Sequence, residues 1–261
     1  MSQSPPRLTP AARVIHYDTV GSTNDEARRL AREGAPEGTT VCALEQTAGR
    51  GRHGRLWRSP PGNLHASLIV RPDCPAGKAA QLGFAAALAI GDALQAKLPA
   101  TVRLSYKWPN DVLLRGRKVA GILLESETTA GQDTAFVIVG IGVNLVSSPR
   151  QVDFPATSLA QEGFDPGSPA ASLEEITKQF RWWLQRWRLA GFAPVRMAWR
   201  AQAASIGDLI RVRLQAATLH GRFLDIDDKG ALLLETAVEC RRISAGEILS
   251  ASPEETNAVS H

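Results

Sequence analysis

Apolar residues recur in short runs along the first 145 positions, and glycine, proline and asparagine separate these runs. Such runs predict β-strands, because alternating or continuous apolar positions suit a strand that is buried on one or both faces. The segment 76–97 instead carries apolar residues at helical spacing and predicts a helix packed on the sheet. The predicted strands cover 13–17, 39–46, 64–71, 103–107, 112–114, 118–125 and 135–143.

The pattern changes after the last of these strands. Residues 146–169 are rich in serine and proline, which predicts a long connection. Helical spacing follows over 172–190 and again over 192–203. Arginines among the tryptophans of the first of these helices allow a nucleic-acid surface, but a packed helix with a charged outer face is the favoured interpretation. Four short strands then predict a small barrel, at 208–214, 218–226, 231–235 and 238–243.

Composition narrows the class of protein. Apolar residues make up 44% and charged residues 21% of the 261 positions, as in soluble globular proteins. A formal net charge of +4 is compatible with anionic ligands without requiring nucleic acid. The three cysteines contain no C-x-x-C pair, so neither a disulfide framework nor a zinc site is indicated. Because the N-terminus lacks an apolar signal core and Lys78 and Asp92 interrupt the most hydrophobic segment, we expect a cytoplasmic protein with no membrane contact.

A loop between two predicted strands alternates glycine with cationic side chains. Its glycines are Gly49, Gly51 and Gly54, and its cationic residues are Arg50, Arg52, His53 and Arg55. This combination suits a phosphorylated ligand, because a flexible backbone can present several anion-binding groups. The run matches G-x-G-x-x-G, but a strand follows where the dinucleotide fingerprint needs a helix, and no P-loop Gly-Lys-Ser/Thr is present. A solvated basic hairpin loop is the alternative. Like charges and glycines leave such a loop little to hold it without an anion.

Polar residues outside the loop allow two interpretations each. Thr23 with Glu26 three positions later predicts a capping box at a helix start, while free hydroxyl and amide groups there could instead bind a neutral polar ligand. Gln46 lies at the mouth of the loop. Lysine at a strand start, as at 118, is usually solvated, and Asn110 with Asp111 after a proline usually forms a turn. Glycines at 140 and 142 often mark a ligand lying against a strand.

Five blocks together carry a resemblance. They are Ser-Thr-Asn at 22–24, Gln-Thr-Ala-Gly-Arg-Gly-Arg-His-Gly-Arg at 46–55, Lys-Trp-Pro-Asn-Asp at 107–111, Lys-Val-Ala-Gly-Ile-Leu at 118–123 and Gly-Ile-Gly-Val-Asn at 140–144. In this order they resemble the biotin protein ligases (biotin–[acetyl-CoA-carboxylase] ligases). The resemblance implies an α+β fold: a mixed β-sheet flanked by helices in a class II synthetase-like catalytic domain at 1–203, a small SH3-like β-barrel at 204–252, and a disordered tail at 253–261.

The same resemblance implies a two-step reaction. ATP activates biotin as biotinyl-5′-AMP with release of pyrophosphate, and a lysine of the biotin carboxyl carrier protein domain of acetyl-CoA carboxylase or a related carboxylase takes the biotinyl group. Mg²⁺ would arrive on the ATP phosphates, without a metal site in the chain. The implied partners are biotin, ATP and the carrier domain, with no nucleic acid and no membrane, and a homodimer is left open.

Residue roles also follow from the resemblance. Arg52 and Lys118 would offset the repulsion between two anions, about 4 kcal/mol for a unit pair about 4 Å apart at an effective dielectric near 20. Asp111 would help deprotonate the acceptor lysine, and completes the catalytic set. The biotin-binding set is Ser22, Thr23, Asn24, Gln46, Arg50, Gly51, Arg52, Lys118, Gly121, Gly140 and Gly142. The ATP-binding set is Arg55, Trp57, Asn110 and Asn144, with Trp57 as a stacking surface for adenine.

The chain departs from the family pattern at two places. His53 replaces the usual arginine, and a histidine with a pKa near about 6.5 is mostly neutral at pH 7. Residues 246–251 resemble the family's closing segment but lack the arginine that some members carry just after it. A first strand near Arg13 leaves no room for an N-terminal DNA-binding domain, so we expect a monofunctional enzyme that does not repress transcription. A basic nucleic-acid-binding module and a lipoyl or octanoyl ligase or transferase are the rival interpretations.

Overall fold

A seven-stranded mixed β-sheet forms the first half of the protein in the computed structural model, which describes residues 13–128, 133–150 and 152–249. Its strands are β1 (Val14–Val20), β2 (Thr40–Gln46), β3 (Leu64–Val70), β4 (Leu104–Lys107), β5 (Asp111–Leu114), β6 (Arg117–Thr128) and β7 (Thr134–Val143). They lie in the order β1-β2-β3-β7-β6-β5-β4, with β1 parallel to β2 and the other neighbours antiparallel. The predicted mixed sheet is confirmed.

Helices cover both faces of this sheet, which is why β3 is buried along its whole length. On one face α1 (Thr23–Arg32) packs Ala27 and Ala31 against Ile69 and Ile138. On the other face lie α2 (Ala76–Ala79) and α3 (Leu82–Gln95). The single helix predicted over 76–97 is therefore two helices, joined by a turn with hydrogen bonds to the third residue back, such as Gln81 N–H to the Lys78 carbonyl (3.1 Å).

Helix α4 (Pro169–Ala190) packs on α3 and is followed by α5 (Ala193–Arg200). The Ser168 hydroxyl caps α4 by accepting from Ala171 N–H at 3.1 Å, and Gly191 ends the helix at a φ of 71°. Its buried residues include Trp183 and Trp187, whose indoles donate to carboxylate and amide oxygens of α3 and the turn before it. The packed-helix interpretation is confirmed. None of the helices among the described residues is both long and apolar enough to cross a bilayer.

A separate five-stranded antiparallel sheet follows, as expected for the SH3-like domain. It contains β8 (Leu209–Arg213), β9 (Thr218–Ile226), β10 (Leu232–Glu235), β11 (Cys240–Ile243) and β12 (Glu247–Ile248), in the order β11-β10-β9-β8-β12. Strand β12 was not predicted from the pattern because it has only two residues. The predicted tail at 253–261 lies outside the described residues.

The two sheets contact each other near β4 and the turn after it. The buried Trp108 indole donates to the Gly230 carbonyl at 3.0 Å, and the Lys107 ammonium donates to the Ile248 carbonyl at 3.4 Å. Residues of the motif at 107–111 therefore belong to the seven-stranded half of the protein and also contact the C-terminal sheet.

The connection at 146–169 is more ordered than a simple linker. Its backbone pairs with the start of β6, since Lys118 N–H donates to the Pro155 carbonyl (2.8 Å) and Thr157 N–H to the Lys118 carbonyl (2.9 Å). Further along, the buried carboxylate of Glu162 pairs with Arg115, in the turn between β5 and β6, and with Arg117, the first residue of β6. The connection thereby fixes the strand that carries Lys118.

Removing the charge of Glu162 should destabilise the fold. We expect Glu162→Gln to cost about 1–3 kcal/mol at pH 7, because a buried carboxylate bonded to Thr157 and two arginines is lost. Burial raises the pKa of Glu162, but the hydrogen bond from Thr157 and the two arginines lower it by a larger amount. The pKa of Glu162 therefore lies below its usual value. The additional free energy of unfolding of the wild type is fully present above the unfolded-state pKa of about 4.3. It is lost as the pH falls through the lower pKa of Glu162 in the folded protein.

Urea unfolding at pH 7 and at pH 3 measures this difference. The exposed Glu174→Gln on α4 is the matched control and should change stability by less than about 0.5 kcal/mol. An unfolding midpoint for Glu162→Gln equal to that of the wild type at pH 7 would contradict the assigned role.

Candidate active site

A cavity of about 400 Å³ opens where α1 begins, β2 ends and the glycine-arginine loop crosses β6 and β7. Every residue proposed for the site from the sequence lines this cavity. They are Ser22, Thr23, Asn24, Gln46, Arg50, Gly51, Arg52, Arg55, Trp57, Asn110, Asp111, Lys118, Gly121, Gly140, Gly142 and Asn144. The juxtaposition is observed, whereas the role of each residue stays a prediction.

One end of the cavity is built from a chain of neutral hydrogen bonds. Thr23 donates to Gln46 Oε1 through both its backbone N–H (2.8 Å) and its hydroxyl (3.0 Å). Gln46 Nε2 donates in turn to Ser59 Oγ at 2.8 Å. The buried Ser67 hydroxyl lies 2.7 Å from Thr23 Oγ1 and 2.6 Å from Asn24 Oδ1. These contacts fix polar groups without placing a net charge there.

The capping box predicted for Thr23 and Glu26 is wrong. Helix α1 begins at Thr23, and its N-cap residue Ser22 makes no side-chain capping bond. The Thr23 hydroxyl points to Gln46 rather than to the helix backbone, and Glu26 accepts from the Tyr17 hydroxyl at 2.6 Å. Tertiary partners have replaced the local hydrogen bonds that the sequence pattern suggests.

Asn24 is held rigidly beneath this end. Its Nδ2 donates to Glu125 Oε2 at 2.7 Å, and its Oδ1 accepts from Ser67. A Cβ on Gly140 would collide with the Asn24 amide, so glycine is required at 140 by close approach rather than by backbone conformation.

Trp57 covers the neighbouring glycines. Its indole lies so close to Gly142 that a Cβ there would overlap the ring, and a Cβ on Gly121 would lie 3.1 Å from it. The Lys118 ammonium is 5.4 Å from the centroid of the same ring. Within the described part of the chain, the buried indole N–H has no hydrogen-bond partner. The glycines of β6 and β7 therefore accommodate an aromatic wall of the cavity.

Arg50, Arg52 and Arg55 of the loop are each bound by protein groups, and the expected ordering of the loop by an anionic ligand stays a prediction. Arg50 pairs with Asp25 (2.6 and 2.7 Å) and with Glu125 (3.1 Å). Arg52 donates to the Gly246 carbonyl at 2.9 Å, and Arg55 pairs with Glu247. His53 adopts a φ of 56°, a left-handed conformation that histidine tolerates better than β-branched residues do.

The opposite end of the cavity is organised by Asp111. Its buried carboxylate lies 2.7 Å from the Lys107 ammonium and 2.6 Å from the Lys118 ammonium. Burial raises the pKa of Asp111, but the charges of Lys118 and Lys107 more than offset this and hold the pKa at about 2. The carboxylate is thus ionised at neutral pH and binds two cations. The role expected for Asp111 in deprotonating the acceptor lysine stays a prediction.

The two asparagines use their amide nitrogens to hold the backbone around the cavity. Asn110 Nδ2 donates to the Ile122 carbonyl at 2.6 Å, and Asn144 Nδ2 donates to the Thr157 carbonyl at 3.0 Å. Both side chains therefore support the walls of the cavity that they line.

Sequence reasoning missed several residues of the site. Ser59 lies in the loop before a predicted strand, and Ser67 and Glu125 lie within predicted strands, where only the three-dimensional pairing shows their contacts with the predicted set. Lys107 belongs to a recognised block but had no assigned role. The connection and β12 add a wall that no pattern indicated: Pro149, Val152, Asp153, Phe154, Ala156 and Glu247.

Comparison with known protein families gives matches for two segments of the chain. Residues 18–144 match the family described as "Biotin/lipoate A/B protein ligase family", and residues 205–249 match "Biotin protein ligase C terminal domain". A biotin–[acetyl-CoA-carboxylase] ligase of Paracoccus denitrificans is 44% identical over 232 residues, which cover 87% of this chain and 96% of that protein. The bifunctional ligase/repressor BirA of Bacillus subtilis is 38% identical over 242 residues, 90% of this chain and 73% of BirA.

A solved structure supports the same relationship. The biotin protein ligase from Aquifex aeolicus in complex with biotin and ATP aligns with a TM-score of 0.77 and 28% identity, over 92% of this chain and 99% of that one. The predicted fold class is thereby confirmed. With two matched domains, a 44% identical relative and a shared fold, the chain belongs to the biotin/lipoate A/B protein ligase family, as one of the biotin protein ligases.

Proposed function

We propose that this protein is an ATP-dependent biotin–[biotin carboxyl carrier protein] ligase. It forms biotinyl-5′-AMP and transfers the biotinyl group to a lysine of the carrier domain of acetyl-CoA carboxylase or a related carboxylase. The supporting observation is a single cavity with a neutral hydrogen-bonding end at Thr23 and Gln46 and a cationic end around Asp111. These two ends match the neutral ureido ring and the carboxylate of biotin.

In the first step a carboxylate oxygen of biotin attacks the α-phosphorus of ATP. The bond from that phosphorus to the bridging oxygen of the β-phosphate breaks, and pyrophosphate leaves with the electron pair. Arg52 and Lys118 are assigned to offset the negative charge that converges there. The ion pair with Asp111 holds the Lys118 ammonium in place. No nucleophile from the protein is required.

At the neutral end, Thr23 and Gln46 supply donors and acceptors for the ureido ring, and Ser22 and Asn24 complete its wall. Glycines 51, 121, 140 and 142 allow close approach of ligand and wall. Because Arg50 is bound by Asp25 and Glu125, its proposed role is to anchor the loop over the ligand rather than to neutralise the ligand's charge.

At the nucleotide end, Arg55 is assigned to the phosphates, Trp57 to the adenine, and Asn110 and Asn144 to the nucleotide. No cluster of three acidic, histidine or cysteine side chains able to hold a metal occurs among the described residues. We propose that Mg²⁺ arrives bound to the ATP phosphates, where it would supply charge neutralisation. In the transfer step the amine of the carrier lysine attacks the biotinyl carbonyl carbon, an amide forms, and AMP leaves with the electrons of the broken C–O bond. Asp111 is assigned to help deprotonate that lysine and holds Lys118 and Lys107 in place.

The rival functions fit the cavity less well. The dithiolane ring of lipoate offers no N–H or carbonyl to the Thr23–Gln46 pair. A nucleic-acid module would need accessible arginines, whereas Arg50, Arg52 and Arg55 are bound internally. We further propose a catalytic domain at 1–203, a barrel at 204–252 and a cytoplasmic location, and we propose no nucleic-acid partner. A homodimer stays open.

Loss of either catalytic cation should slow adenylation. Arg52→Ala and Lys118→Ala are each expected to cost on the order of 3 kcal/mol, or about a hundredfold in rate, because each removes a charge that stabilises the transition state. Biotin-dependent exchange of pyrophosphate into ATP measures this step, with lipoate and no acid as substrate controls. The exposed Arg181→Ala on α4 is the matched variant and should retain full exchange. Near-normal exchange in Arg52→Ala would rule out its assignment.

Gly140→Ala should weaken biotin binding selectively. The added methyl group must displace the Asn24 amide, which Glu125 and Ser67 hold in place. Overpacking of this kind costs about 1–3 kcal/mol, so the Kd for biotin should rise on the order of tenfold. Titration calorimetry measures it, and Gly77→Ala, where the methyl group meets open space, is the control. Unchanged biotin affinity in folded Gly140→Ala would place the biotin head elsewhere.

A further inference from the structure

The last strand of the C-terminal sheet and the glycine before it bind three cationic side chains at or beside the cavity. The Gly246 carbonyl accepts from Arg52 at 2.9 Å, and the Ile248 carbonyl accepts from Lys107 at 3.4 Å. Between them, both terminal nitrogens of Arg55 pair with the two carboxylate oxygens of Glu247. Residues almost two hundred positions apart thus meet at the nucleotide end of the cavity.

Glu247 is a negatively charged wall of a site proposed to receive a polyanion. Its side chain is 15% exposed and lines the cavity. Burial raises the pKa of Glu247, but Arg55 and Arg213 outweigh it and hold the pKa at about 2, so the carboxylate is charged at neutral pH. A carboxylate bound to both ends of a guanidinium occupies the same two donors that a phosphate oxygen pair would use.

We propose that Glu247 is an internal surrogate for the nucleotide phosphates, which pairs with Arg55 until ATP binds and must then release it. This inference rests on the proposed function, and it makes a residue of the C-terminal sheet a determinant of the enzyme's affinity for ATP. Binding of ATP and pairing of Glu247 with Arg55 are then mutually exclusive. By linkage, the affinity for ATP is reduced by the fraction of molecules in which Glu247 occupies Arg55.

The geometry also keeps the free-energy cost of releasing Arg55 from Glu247 small. Arg213 on β8 lies 2.8 Å from Glu247 Oε2, so the carboxylate keeps a cationic partner after Arg55 leaves. The cost of releasing Arg55 is therefore that of one partly exposed ion pair rather than of a stranded buried charge. Arg55 itself is 43% exposed at its side chain, which leaves it room to turn toward a ligand.

Glu247→Gln removes the charge while keeping the shape of the side chain. Titration calorimetry with α,β-methylene-ATP, which cannot transfer its adenylyl group to biotin, should show a Kd about fivefold lower than that of the wild type. The Kd for biotin should stay unchanged, because the neutral end of the cavity does not touch Glu247. Glu239→Gln is the matched control, since Glu239 pairs with Arg241 beside β11, at the opposite edge of the same sheet.

Glu247→Asp is the second variant, for use if Glu247→Gln does not fold. Its shorter side chain cannot reach both guanidinium nitrogens of Arg55, so this substitution should also lower the Kd for the analogue. An equal or higher Kd for the analogue in the folded variants would overturn the proposal and make Glu247 a residue that holds Arg55 ready for ATP. Wild-type protein that binds the analogue but shows no biotin-dependent pyrophosphate exchange would instead refute the proposed function, independently of the Glu247 result.

Discussion

The buried pairing of Asp111 with Lys107 and Lys118 is the interaction on which the charged half of the site depends. A carboxylate this well buried must be paired, and two ammonium groups at 2.6 and 2.7 Å leave a net positive charge after they satisfy it. That surplus faces the cavity through Lys118 and reaches the C-terminal sheet through Lys107. One ion triad therefore fixes Lys118, leaves positive charge at the cavity and joins the two sheets.

A cationic site must also be stable without its ligands. Several arginines around one cavity repel one another, and the fold offsets that repulsion with its own acids: Asp25 and Glu125 for Arg50, and Glu247 for Arg55. The pairs of Arg50 with Asp25 and Glu125 hold the loop, whereas the pair of Arg55 with Glu247 is the one that the proposal above requires to open when ATP binds.

The neutral half follows a different rule, which is close packing. Glycine at 140 lets Asn24 lie directly on β7, and glycine at 142 does the same for Trp57. Ser67 then ties Asn24 to the Thr23–Gln46 pair. Specificity for a neutral ring arises from fixed donors and acceptors, whereas catalysis arises from fixed charges, and separate ends of one cavity keep these two demands apart.

Local patterns in the sequence determined the strands and most helix positions, because periodicity is a property of neighbouring residues. The resemblance of five short blocks to the biotin protein ligases indicated many of the residues around the cavity. Tertiary structure alone decided which partners these residues have. Thr23 follows a capping pattern yet bonds to Gln46, and Arg52 bonds to Gly246, 194 positions away. Such pairings exist only once the sheets have packed and the chain has closed on itself, so no local pattern could show that the C-terminal sheet supplies Glu247 to the nucleotide end.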